Sequence, residues 1–156
     1  MPVVIFLDID GVLNHAGWYE LLKPRLGTTK PVDWLDPACI DRLNRLCAEM
    51  GASLVISSSW RTYLAHTEDV LRAAGLTAPI VGATPDDNPV SLDDDRRTEK
   101  GRWFEIRAWL DAHPEVERWC VIDDLPLVGV PGERFVRTDL AVGLTDADCA
   151  RARFLL

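Results

Sequence analysis

The sequence predicts an α/β protein with a doubly wound parallel sheet. Short, unbroken apolar runs, Val3–Leu7 and then residues 54–56 and 119–122, read as strands covered on both faces, as the strands of parallel sheets are. Segments with helical spacing of apolar residues separate them, and such alternation implies a parallel sheet with right-handed crossovers. Each run also ends on polar groups: Asp8, then Ser57, then Asp123-Asp124. Ligands of open α/β sheets bind beyond the carboxyl ends of the strands, where the strand order reverses, so three strands deliver chemistry to one edge.

The elements follow in order. After the first strand, residues 11–35 contain Gly17, Pro24, Gly27 and Pro31 and read as a long loop or flap. Asp36-Pro37 starts a helix, with Asp as the cap and Pro in the first turn. Ile40, Leu43, Leu46, Cys47 and Met50 form its apolar face, and Gly51 closes it. The second strand ends in Ser57-Ser58-Ser59. A helix over 62–74 stops at Gly75, and residues 79–83 form a short third strand. Residues 84–98 are polar and acidic, hence a loop. A helix over 101–113 carries Trp103, Ile106, Trp109 and Leu110. The strand over 119–122 follows, then an edge strand over 134–136. Thr145 caps a last helix with Asp146 and Asp148 in its first turn, where the helix dipole favours anions.

The chain has 156 residues, a formal net charge of −8, 47% hydrophobic and 27% charged residues. This balance is that of a globular protein, and the length predicts one domain over residues 1–156. The acidic balance argues against an extended nucleic-acid footprint or an anionic membrane surface, both of which need a basic face. No apolar run approaches the ~18 residues of a membrane span. The first apolar run is too short for a signal-peptide core and has no basic segment before it. Cys39, Cys47, Cys120 and Cys149 form no C-x-x-C pair, so neither zinc nor redox chemistry is signalled. Cys47 and Cys120 fall in apolar patterns as reduced core residues, and a cytoplasmic location is the expectation.

Spacing alone does not single out the carboxylates. With 17 Asp in the chain, about two D-x-D triplets arise by chance, and three are present. Asp93/Asp95 lies in a charged loop and Asp146/Asp148 in a helix first turn. Asp8/Asp10 follows a wholly apolar strand and precedes Gly11. Two carboxylates at a buried strand end need a cation or a proton between them. Asp123-Asp124 repeats the situation on another strand, making four carboxylates at one edge. That set calls for a hard cation such as Mg²⁺, and the absence of His and Cys disfavours zinc. Ser57 offers a hydroxyl there. Lys100 precedes the expected helix at Gly101, where a cation opposes the dipole and is free to meet a phosphoryl group; Arg96, Arg97 and Arg102 compete for that role.

Taken together, Asp8-Ile9-Asp10-Gly11-Val12-Leu13, Ser57, Lys100 and Asp123-Asp124 resemble, in order, the four motifs of the haloacid-dehalogenase-like (HAD) phosphohydrolases. The segment from Val55 to Arg61, Glu105-Ile106 with Trp109-Leu110, and Gly143-Leu144-Thr145 are similar to small HAD domains associated with RNA-repair proteins. The resemblance implies a Rossmann-like core with strand order 3-2-1-4-5 and no large cap domain. It implies a phosphatase in which Asp8 attacks phosphorus and forms an aspartyl-phosphate. Asp10 serves as general acid and then base, while Ser57 and Lys100 hold the phosphoryl oxygens. Ser58, Gly11 and Arg61 contribute to phosphate or substrate binding. Asp8, Asp10 through its backbone carbonyl, Asp123 and Asp124 hold Mg²⁺.

The intervals between motifs leave no room for a cap, so the site is expected to be open, covered at most by a flap with Trp18 and Tyr19. An open site favours a phosphate on a large molecule, such as a nucleic-acid end contacted over one or two nucleotides, or a protein side chain. Two other readings use the same residues: a phosphoacceptor module of receiver type, and a non-catalytic HAD-like phosphate-binding domain. The sequence gives no oligomeric state.

Overall fold

The computed structural model describes residues 2–156. Five parallel strands, β1 (Val3–Leu7), β2 (Ala52–Ile56), β3 (Ile80–Ala83), β4 (Arg118–Asp123) and β5 (Phe135–Arg137), lie in the order β3-β2-β1-β4-β5. β1 is central and pairs in register with both neighbours, Leu7 standing opposite Ile56 and Ile122. Strand order reverses between β1 and β4, as expected for a doubly wound sheet.

Alternation along β1 splits the core into two layers. Val3, Ile5 and Leu7 pack on α2 (Pro37–Met50), α3 (Leu64–Ala73) and α5 (Asp146–Leu155). Val4 and Phe6 face α4 (Arg97–Ala112), where Ile106 and Trp109 are buried. Phe6 meets Trp109 and Trp119 edge-on, with centroids 5.4 and 6.0 Å apart. All four cysteines are buried and free, and burial pushes the Cys47 and Cys120 thiols up to about 12. No helix among the described residues is long and apolar enough to cross a membrane.

Several elements depart from the sequence expectation. The flap is not irregular: it holds α1 (Ala16–Leu22) and 3-10 helices at Lys23–Thr28 and Pro31–Trp34. His15 caps α1 by accepting the Trp18 N–H on Nδ1, a cap outside the usual Ser, Thr, Asp and Asn set. Pro24 and Pro31 open the 3-10 helices rather than breaking structure. α3 begins at Leu64 rather than at 62, because a 3-10 helix at Ser59–Tyr63 with Ser58 as its cap comes first. α4 begins at Arg97, four residues early, and its cap Arg96 makes no side-chain capping bond that would signal the start. The edge strand is shifted by one residue, to Phe135–Arg137. Thr145 caps α5 as predicted, and Asp148 completes a capping box with it.

Phe6 is fully buried between two tryptophans on the central strand. Phe6→Ala is therefore expected to destabilise the fold by about 3–5 kcal/mol in urea titration, the range for emptying a rigid aromatic site.

Candidate active site

The residues just past the strand ends remain tied into the sheet. Asp8 N–H donates to the Ile122 carbonyl at 3.0 Å, Ser57 N–H to Leu7 at 2.8 Å, Thr84 N–H to Ile56 at 3.0 Å and Thr138 N–H to Asp123 at 3.0 Å. The ladder thus runs one residue beyond the apolar core and places Asp8, Ser57 and Asp123 side by side. Asp8 and Asp123 are buried, and one carboxylate oxygen from each of Asp8, Asp123 and Asp124 lies within 4.8 Å of the others. Burial raises the carboxyl pKa of Asp8 well above its usual range, and the charges of Asp123 and Asp124 add to the effect. Asp123 is raised for the same main reason.

One cation is built into this cluster. Arg102 Nη1 donates to Asp123 Oδ2 at 2.7 Å and lies 3.4 Å from Asp8 Oδ1. Three carboxylates and one guanidinium leave a formal charge of −2. Every donor is an oxygen, so the set fits a hard divalent cation of the Mg²⁺ class held by Asp8, Asp123 and Asp124.

Gly11 makes the crowding possible. It adopts a φ of +77°, and a Cβ there would overlap the Asp124 side chain. Its carbonyl accepts the Thr138 hydroxyl at 2.8 Å and its N–H donates to Asn14 Oδ1 at 2.9 Å. Asp10 stands outside the three-carboxylate cluster. Asn14 Nδ2 donates to its Oδ1 at 2.8 Å and Trp60 Nε1 to its Oδ2 at 3.1 Å, so both oxygens are oriented. Asp10 in turn helps to raise the phenol pKa of Tyr19, after partial burial, which places that flap residue near the site.

Ser57 is buried and its Oγ has no partner among the described residues; the same holds for Thr84 Oγ1. A buried hydroxyl without a partner is costly unless a ligand satisfies it. Ser58 is also buried, its hydroxyl accepting the Trp60 N–H at 3.3 Å. Arg61 donates to Glu105 Oε1 at 2.7 Å.

Lys100 is not brought to the cluster. Its ammonium binds Asp94 at 2.7 Å and is 41% exposed. The earlier start of α4 explains the difference. Arg102, Glu105, Ile106 and Trp109 share the buried face, at i, i+3, i+4 and i+7, whereas Lys100 is two residues and more than half a turn away from Arg102. That spacing was readable, because Ile106 already marked the inward face. Trp60 carries no such signal, since its partner Asp10 is fifty residues away, whereas Asn14 bonds Gly11 and Asp10 only three and four residues back.

A second cluster, His15, Asp36 and Cys39, also brings ligand-type atoms within 4.8 Å. Its bonds account for it without a metal. His15 Nδ1 accepts from Trp18, so the proton sits on Nε2 and is donated to Asp36 at 2.7 Å, while Asp36 caps α2 through the Ala38 N–H.

Removing Arg102 strands two buried carboxylates. Arg102→Met should cost about 3–5 kcal/mol in urea titration with chelator present, and added Mg²⁺ should restore part of the loss. Lys100→Met should leave stability near wild type, because water screens an exposed pair. An Arg102→Met protein indifferent to Mg²⁺ would argue against a cation at these carboxylates.

The family model described as the HAD domain in Swiss Army Knife RNA repair proteins matches residues 4–149. No curated protein and no solved structure matches the chain.

Proposed function

This chain belongs to the family of HAD domains found in Swiss Army Knife RNA repair proteins, and on that premise we propose that it is a Mg²⁺-dependent phosphomonoesterase acting on the terminal phosphate of an RNA. The observation that carries the reading is the cluster of Asp8, Asp123 and Asp124 beside the unpartnered Ser57 hydroxyl.

Asp8 is the nucleophile. One of its oxygens bonds to phosphorus while the bond from phosphorus to the leaving oxygen breaks, and Asp10 gives that oxygen its proton. Water then attacks the aspartyl-phosphate and Asp10 takes its proton. The bond between phosphorus and the Asp8 oxygen breaks, and inorganic phosphate departs. Asn14 and Trp60 hold Asp10 for both transfers. Ser57 Oγ donates to a non-bridging oxygen. Arg102, rather than Lys100, supplies the protein's cation beside the reacting group. A divalent cation bound by Asp8, Asp123 and Asp124 supplies charge neutralisation between anionic nucleophile and anionic substrate.

Two features support a large substrate. The described residues contain no large cap domain, and beside Asp124 the surface opens into a cleft of about 560 Å³ lined by Leu125, Arg137, Asp139 and Leu140 among others. A site without enclosure gives a small ester few contacts for orientation.

Asp8→Asn should fold normally and lose phosphate release by about a thousandfold or more, and excess chelator should silence the wild type. Residual activity near a tenth of wild type would remove Asp8 from the nucleophile's role. Among substrates, RNA oligonucleotides with a 3′- or 5′-phosphate should show higher kcat/KM than sugar phosphates. The reverse ranking would overturn the RNA-end assignment while leaving the phosphatase reading in place.

A further inference from the structure

Arg102, which binds the carboxylate cluster, also lines a polar cavity of about 200 Å³. Resting on the phosphatase reading, we propose that this cavity is a second anion site, which holds a further phosphate of the substrate while the scissile phosphate sits at Asp8. The substrate class is then a molecule with two neighbouring phosphates, such as a terminal phosphomonoester followed by a phosphodiester.

Three guanidiniums line the cavity, from Arg61, Arg97 and Arg102, together with the hydroxyl-bearing Ser59 and Thr98 and a single carboxylate, Glu105. Their commitments differ. Arg61 is neutralised by Glu105 at 2.7 Å, with the exposed Asp86 carboxylate 3.7 Å away at the rim. Arg97 donates Nε and Nη2 to the carbonyls of Val90 and Asn88 and forms no ion pair among the described residues, so its charge is uncompensated. Arg102 is 95% buried by its 5% exposure and spends Nη1 on Asp123 and Asp8, yet its Nε has no partner. An unmet guanidinium N–H at this depth carries the cost of an unsatisfied donor, in a side chain that lines this cavity. The cavity also adjoins the first turn of the sixteen-residue α4, through Arg97 and Thr98, where the dipole favours anions.

The charges favour an anion over a cation. Glu105 is matched by Arg61, which leaves Arg97 unopposed. Arg102 is shared: its Nη1 contacts Asp123 and Asp8, and the residue also lines the cavity. Two phosphates on one substrate can therefore share a single fixed cation, which sets their spacing.

The test is calorimetric binding to the Asp8→Asn protein, where turnover is blocked, using adenosine 3′,5′-bisphosphate against adenosine 3′- and 5′-monophosphate. The bisphosphate should bind about tenfold or more tightly than either monophosphate, the worth of a charge-assisted hydrogen bond. Arg97→Gln should erase that preference and leave monophosphate affinity unchanged, and Arg97→Lys should retain part of it. Equal affinity for the three ligands overturns the proposal. So does an Arg97→Gln variant that weakens all three alike, which is the result of a mere loop tether. If Arg97→Gln does not fold, the comparison of ligands on the Asp8→Asn protein decides alone. A preference that persists while wild type releases no phosphate from any ester refutes the phosphatase reading and leaves the anion site standing. Strong turnover without any preference refutes the anion site only. A dinucleotide with a terminal phosphate, run in parallel, separates a phosphodiester from a second monoester as the occupant.

Discussion

Keeping three carboxylates together at a dry strand end is the constraint on which the rest of this protein depends. Desolvation and mutual repulsion both push Asp8 and Asp123 towards their neutral forms. Arg102 answers part of that cost, and it can do so only because α4 crosses the sheet on the opposite face from α2, α3 and α5, with its buried stripe aimed at the β1–β4 boundary. Gly11 answers another part, by letting the chain pass Asp124 where any side chain would collide. The excess charge that remains explains why an oxygen-only set at this place fits a divalent cation.

The same constraint makes sense of the neighbouring polar groups. Asp10 is outside the cluster because its two oxygens are held by Asn14 and Trp60, which keep it apart from the other carboxylates. Glu105 lies on the buried face of α4 only because Arg61 reaches it from the loop after β2, and its carboxyl is still raised by burial despite that partner. The flap is fastened at both ends by similar means, through the His15–Asp36 bond and through the N–H groups of Ala16 and Gly17 on the carbonyls of Leu140 and Ala141.

Much of this was legible in the sequence, for physical reasons that differ by element. The central strands were visible because a parallel strand covered on both sides must be apolar throughout, as β1 is. Asp8, Ser57 and Asp123 were visible because they terminate such runs. The flap helix was not, since a histidine cap and a short amphipathic turn leave no pattern that separates helix from loop. The cation was half visible: Arg102 was one competitor among several, and its place four residues before the inward-facing Ile106 favoured it over Lys100. Trp60 on Asp10 was invisible, because fifty residues separate the partners and only the folded sheet brings them together.

The backbone bonds that continue the ladder past each strand have a consequence for how the site behaves over time. The amides of Asp8, Ser57, Thr84 and Thr138 are not loop amides; each is a rung of the sheet itself. Local opening that exposes a loop to solvent without melting the core does not release them. The Asp8 and Ser57 amides, which follow the interior strands β1 and β2, should then exchange with deuterated water more slowly than the loop amides around them. The backbone that carries Asp8 and Ser57 is thus held by the sheet rather than by a loop.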